Sequence, residues 1–185
     1  LIDPTKLIDP VCKICGAQNT KEVTVTQWYL LQSKFHDHFR DWLKTKKNDW
    51  RKTVYPFVES LTEKGLHDRA ITRDLEWGID VPLPEAKGKK LYVWFDAPIG
   101  YVSNTKQFLK ETGSEEDYLE DWWNNSETEI THFVGKDNII FHTVIFPVMG
   151  MGSGRIKPPT DVPANQFLNL EGKQFSKSSG WYVDI

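Results

Sequence analysis

The sequence predicts an α/β protein: the second half of a doubly wound parallel sheet, preceded by an insertion. Three observations carry this. Leu91-Tyr92-Val93-Trp94-Phe95 is an unbroken apolar run rich in aromatic residues, the pattern of a strand buried on both faces. It passes at once into Asp96-Ala97-Pro98-Ile99-Gly100-Tyr101, where Pro98 suits a first helical position. Ligands of open α/β sheets bind just beyond such strand ends, so Trp94, Ala97, Pro98 and Tyr101 are placed to wall a small apolar pocket. Near the C-terminus, Phe167-Leu168-Asn169-Leu170 alternates like a strand. It feeds Glu171-Gly172-Lys173-Gln174-Phe175-Ser176-Lys177-Ser178, a loop rich in hydroxyls, backbone N–H groups and ammonium charge. A polyphosphate asks for those groups. A pocket and a phosphate loop on one sheet suggest an enzyme that activates a small apolar acid with a nucleotide.

The remaining elements follow in chain order. Leu-Ile-Asp-Pro occurs twice before Cys12-Lys13-Ile14-Cys15-Gly16 and reads as turn-rich chain. Val23-Thr24-Val25-Thr26 reads as a strand running towards Leu31. Phe35, Phe39, Trp42 and Leu43 share one helical face, with Ser33 placed to cap it. Val54, Phe57, Val58 and Leu61 repeat the pattern, Pro56 starting or kinking that helix and Gly65 stopping it. These two helices are expected to pack together. A helix is expected from Pro98 to about Lys110, stopped by Gly113. Ser114-Glu115-Glu116-Asp117 resembles a capping box for a shorter helix. Thr128 to Val134 reads as a strand, and Asp137 as the N-cap of a helix to about Met149 that Pro147 bends or ends. Gly150 to Pro159 reads as a loop.

Composition sets bounds. At 185 residues with a net charge of −3, the chain is ordinary globular protein with no general affinity for nucleic acid. No apolar run approaches the ~20 residues of a membrane span, and no leader pattern is visible, so a cytoplasmic protein is expected. Cys12 and Cys15 form one C-x-x-C, half of a tetrahedral zinc set, and no other cysteine occurs. The residues leave two readings open: zinc ligation, or two free buried thiols.

A resemblance then becomes specific. Val93-Trp94-Phe95-Asp96-Ala97-Pro98-Ile99-Gly100-Tyr101, His132-Phe133-Val134-Gly135-Lys136-Asp137-Asn138-Ile139-Ile140-Phe141-His142 and Phe175-Ser176-Lys177-Ser178 resemble signatures of the methionyl-tRNA synthetases, class I aminoacyl-tRNA synthetases. Ile71-Thr72-Arg73-Asp74 with Trp77-Gly78-Ile79 resembles the end of that family's connective insertion. The matches are collinear and cover most of the chain.

The resemblance implies a class I Rossmann-type sheet, with residues 1–88 as the distal part of the insertion, 89–172 as the second half of the nucleotide fold and 173–185 as the mobile loop. It implies activation of methionine with ATP and Mg2+, then transfer to tRNA, and Zn2+ at Cys12 and Cys15 if a second knuckle completes the site. Taken singly, each aromatic side chain reads as core; the resemblance assigns Trp94, Ala97, Pro98, Tyr101, Phe141 and His142 to methionine. It assigns Gly135 and Asp137 to the ATP ribose, and Ser176, Lys177 and Ser178 to the phosphates, Lys177 being the main catalytic residue. Gln174 stands where the family's loop has its first lysine, and Lys173 lies one residue earlier; which of them reaches phosphate is open. Arg73 and Asp74 form a candidate ion pair of no assigned role. No H-I-G-H-like motif occurs, so the chain alone is expected to be inactive. The rivals are a class I synthetase for another apolar amino acid and a non-catalytic zinc-knuckle or tRNA-binding module.

Overall fold

The computed structural model describes residues 18, 21, 23–177 and 180–184. Cys12, Cys15 and Ser178 lie outside these residues. Among the described residues, helices mix with four two-stranded sheets, one of them parallel.

The first part holds β1 (Tyr29–Leu30), α1 (His36–Thr45), α2 (Tyr55–Thr62) and β2 (Arg69–Ala70), with β1 and β2 antiparallel. Val23 to Thr26 form no strand; they are exposed and irregular. β-branched residues favour strands only where a partner and a covering layer exist. Ser33 does not cap α1. It lies in a 3-10 turn, and its N–H donates to Asp68 Oδ1 at 2.9 Å, which holds the Asp68 carboxyl below its usual range. Pro56 falls in the first turn of α2, where its missing N–H is harmless. The buried face of α2 is Tyr55, Val58 and Thr62, with Val54 just before it, while Phe57 is 44% and Leu61 43% exposed. Tyr55 carries a tyrosine hydroxyl on this inward face, bonded to Glu59 at 3.0 Å, so the apolar pattern alone misplaced the stripe.

β3 (Thr72–Arg73) pairs antiparallel with β4 (Lys90–Leu91). The expected buried strand to Phe95 ends there. Tyr92 N–H donates to Ile71 O, and Val93–Asp96 forms a helical turn, α3. Val93 is 62% and Trp94 45% exposed, so this run is a surface lining rather than a sheet core. Arg73 and Asp74 do not pair. Asp74 binds Lys89, and the Arg73 guanidinium lies 4.1 Å from the centre of the Tyr92 ring.

α4 (Ile99–Thr112) ends at left-handed Gly113, as expected. The next helix, a π-helical turn at Tyr118–Trp123, is capped by Asp117 rather than Ser114. Asp117 Oδ1 accepts from the N–H groups of Leu119 and Glu120 at 2.8 and 2.9 Å, which lowers its carboxyl pKa. Of the Thr128–Val134 stretch, Thr131 bridges Asp161, and β5 (Val134–Gly135) pairs in parallel with β6 (Ala164–Asn165).

Helical backbone then runs on to Ser153. Asp137 is no cap; Gly135 occupies that position without a side-chain bond. Pro147 neither ends nor breaks the helix. A π-helical stretch, Phe141–Ile145, widens the turn ahead of it, and α5 (Phe146–Ser153) starts with the proline in its first turn. Proline cannot donate to the carbonyl four residues back, and a π-bulge absorbs that loss. The expected loop from Gly150 is therefore helical to Ser153. Phe167–Leu170 does not join the parallel pair: Asn169–Leu170 (β7) forms a hairpin with Lys173–Gln174 (β8). Glu171 and Gly172 both have positive φ, 49° and 80°, the geometry of a tight hairpin turn.

One core joins the two parts. Phe39, Leu43, Trp50, Val54 and Val58 pack with Ile139, Val144, Val148 and Val162. Trp50 Nε1–H donates to Thr160 O at 2.9 Å, tying the segment after α1 to the one that leads into β6. A smaller cluster of Val102, Leu119, Trp123, Ile130 and Phe146 holds α4 against the π-helical turn and α5. Among the described residues no helix is long and apolar enough to cross a membrane.

Burial separates residues that sequence pattern treats alike. Phe39→Ala, at a fully buried site, should lower unfolding free energy by roughly 3–5 kcal/mol, and Phe57→Ala by less than about 1. Denaturant unfolding of the two variants checks this; equal losses would place Phe57 in the core after all.

Candidate active site

The parallel pair fixes the site. His132 N–H donates to Asp161 O and Val134 N–H to Pro163 O, so the chain leaves β5 at a defined point and enters the helix carrying Phe141 and His142. α3 and α4 approach that helix from the other side. Trp94, Ala97, Pro98, Tyr101, Phe141 and His142 line one cleft of about 320 Å³. All six expected pocket residues are thus brought together. Trp94 and Phe141 stack, with centroids 5.3 Å apart and planes 26° apart.

The polar core of the cleft is a hydrogen-bonded chain. His142 Nδ1 lies 2.9 Å from Asn138 O, and Tyr101 Oη lies 2.9 Å from His142 Nε2. A carbonyl can only accept, so Nδ1 carries the proton. Burial pushes the His142 pKa down, partly opposed by the bond to Asn138, so the ring is neutral and Nε2 is a lone-pair acceptor. Tyr101 therefore donates its hydroxyl proton to His142. That bond orients the Tyr101 ring on His142.

Gly135 also lines the cleft. A Cβ there would meet Asp137 Oδ1 at 2.7 Å, so glycine lets the carboxylate fold back over the strand end. Asp137 is exposed and accepts from Asn138 Nδ2 at 3.4 Å. Lys136 Nζ lies 4.3 Å from the Phe167 ring centre. Three further residues line the cleft that sequence reasoning left without a role, Phe133, Val134 and Asn138. Their signal was position: all three lie in or beside β5, at whose end a sheet of this kind binds ligands.

The loop residues stand apart from the cleft. Ser176 and Trp181 exchange backbone hydrogen bonds at 2.8 and 3.0 Å, closing the turn that holds Lys177. Lys177 is exposed, its ammonium 5.7 Å from the Tyr182 ring centre, and Lys173 Nζ sits 4.7 Å from the Trp181 ring centre. Neither lysine lines the cleft.

The family model described as tRNA synthetases class I (M) matches residues 1–185. The chain belongs to this family. Among curated relatives it is similar to the methionine–tRNA ligase of Parabacteroides distasonis, 46% identical over 182 residues, and to that of Protochlamydia amoebophila, 48% identical over 184 residues. These alignments cover 98% and 99% of this chain but 26% of each relative, so the chain spans about a quarter of the length of the relatives it matches. Among solved structures it is similar to Mycobacterium tuberculosis methionyl-tRNA synthetase in complex with methionyl-adenylate, with TM-score 0.69 and 28% identity over 85% of this chain and 29% of that one. This class I (M) family has an α/β fold, and the mixed helices and parallel pair here agree with it.

The two inward histidines of this synthetase segment predict a pH dependence. Burial, with His142 nearby, holds the His132 pKa down to about 4, and His142 is lowered too. The folded state then binds fewer protons than the unfolded chain below about pH 6.5. Their contribution to stability is complete above that value and is lost as pH falls from 6.5 towards about 4. The loss is on the order of 1.4 kcal/mol for each tenfold difference in proton affinity between the folded and unfolded chain. Denaturant midpoints should drop across this window, and less steeply for His132→Phe. A flat profile from pH 7 to 4.5 would contradict buried, neutral rings.

Proposed function

We propose that this segment belongs to a methionine–tRNA ligase, in which it walls the methionine pocket and supplies the loop that meets ATP. The observation that carries the reading is the cleft in which Trp94, Ala97, Pro98, Phe141 and the bonded Tyr101–His142 pair converge. A thioether is flexible and polarizable and packs well on aromatic rings. It needs no strong hydrogen bond. A pocket whose polar groups already satisfy one another suits it, because a polar side chain of similar length would leave its own groups unpaired there.

In this reading the methionine carboxylate attacks the α-phosphorus of ATP, a new P–O bond forms, and pyrophosphate leaves. No protein nucleophile takes part; positioning and charge stabilisation supply the rate. Gly135 and Asp137 hold the ribose. Lys177 moves with its loop from the Tyr182 ring onto the departing phosphates, with Ser176 and Ser178 as further donors and either Lys173 or Gln174 as a second phosphate contact. Mg2+ arrives with ATP as part of the substrate. The methionyl group then passes to the terminal adenosine of tRNA. Residues 1–88, 89–172 and 173–185 serve as distal insertion, half of the nucleotide fold, and loop. A cytoplasmic location goes with the reading.

Zinc fits less well. Two thiolates, Cys12 and Cys15, are half of a tetrahedral set, and no group of three or more His, Cys, Asp or Glu able to hold a metal lies among the described residues.

Two variants test the roles, in an enzyme of full family length carrying this segment. Tyr101→Ala or Trp94→Ala should impair methionine use far more than ATP use, by roughly 1–3 kcal/mol in discrimination. Equal loss for both substrates would mean a core role. Lys177→Ala should slow methionine-dependent pyrophosphate exchange by about 10²–10³ with methionine affinity unchanged. A normal exchange rate with weakened methionine binding would sink the loop assignment.

A further inference from the structure

His132 touches both partners of the Tyr101–His142 pair without lining the cleft they wall. Its ring centroid lies 5.0 Å from Tyr101, 5.0 Å from His142 and 5.4 Å, edge-on, from Phe146. The residue is only 7% exposed, and its N–H bond to Asp161 O anchors it just ahead of β5. It borders instead a second cavity, of about 400 Å³, lined also by Asn104, Trp122 and Trp123. Tyr101 and Phe133 line both cavities and so form the partition between them.

His132 Nε2 is buried with no hydrogen-bond partner among the described residues. Polar bonding through that atom therefore does not explain the ring's place. Leaving a buried polar atom unpaired is unfavourable. What the ring does supply is a flat, neutral surface against two other rings. Without it, the Tyr101 phenol would have open space behind it.

We propose that His132 is a positioning residue that sets the depth of the methionine cleft, by holding the Tyr101 ring on His142 and keeping the partition from retreating into the cavity behind it. This rests on reading the cleft as the methionine pocket. His132 meets no substrate in this account and acts only through Tyr101.

The test compares His132→Ala, His132→Phe, Tyr101→Ala and the His132→Ala/Tyr101→Ala double variant, in an enzyme of full family length carrying this segment. Pyrophosphate exchange is measured with methionine and with ethionine, which has one more methylene. His132→Ala should raise the methionine KM on the order of tenfold, leave the ATP KM unchanged, and narrow the preference for methionine over ethionine. His132→Phe, which restores a neutral ring, should return both quantities to within about threefold of the parent. In the double variant the His132 change should add nothing to Tyr101→Ala, because it acts through that ring. An unchanged methionine KM and preference in His132→Ala would overturn the proposal. So would effects that add fully to those of Tyr101→Ala, or a His132→Phe variant no better than His132→Ala. If the parent enzyme itself shows no methionine-dependent exchange, the functional reading beneath the proposal fails instead.

Discussion

The cleft depends on one bond, from the His142 ring to the Asn138 carbonyl. Because a carbonyl cannot donate, that bond fixes which ring nitrogen is protonated. Burial then keeps the ring neutral, and Nε2 is left to accept from Tyr101. The bond sits where the helix is locally widened. Across the π-helical stretch Phe141–Ile145, side chains reach carbonyls four residues back: His142 bonds Asn138, and Thr143 Oγ1 bonds Ile139 at 2.7 Å. Pro147, which has no N–H to offer Thr143, is the sequence feature that accompanies this widening. A helix carbonyl thus sets the polarity of a pocket wall.

The parallel pairing of β5 with β6 places that helix, and the shared core keeps it in place. Trp50 reaches across to Thr160, and Phe39, Leu43 and Val58 pack in one cluster with Val144, Val148 and Val162. The residues of α1 and α2 therefore support the element that carries His142. The loop is held by different means. Its hairpin is two residues long on each side, and its lysines rest on the half-buried Trp181 ring and the exposed Tyr182 ring. Exposed cation–π contacts are worth only about 0.5–1 kcal/mol, so such a loop can leave them without large penalty.

The pocket is more legible in the sequence than the elements that build it. Trp94, Tyr101 and His142 are identifiable by their motifs and do converge. Yet Leu91 to Phe95 is no buried strand, because an apolar aromatic run looks the same whether it fills a sheet or lines a cleft. Phe57 and Leu61 match a helical stripe, but Tyr55 and Thr62 hold the inward positions, each with its hydroxyl bonded. Asp117 displaces Ser114 as a cap because its carboxylate reaches two N–H groups at once. β6 goes unrecognised: two residues carry no periodicity, and Val162 and Ala164 are buried by contacts distant in sequence. His132 stands inside a recognised motif, but nothing local reveals that its ring meets Tyr101, far away along the chain.

The central claim is that His142 is neutral, protonated on Nδ1, and accepts the Tyr101 hydroxyl proton on Nε2. Nitrogen NMR of the chain with labelled imidazole, at pH 7, reads this directly. The account predicts that the resonance removed by His142→Gln is a neutral ring with a protonated Nδ1 and a bare Nε2, the latter shifting in Tyr101→Phe when its donor is lost. A ring protonated on Nε2 alone, or on both nitrogens, would contradict it.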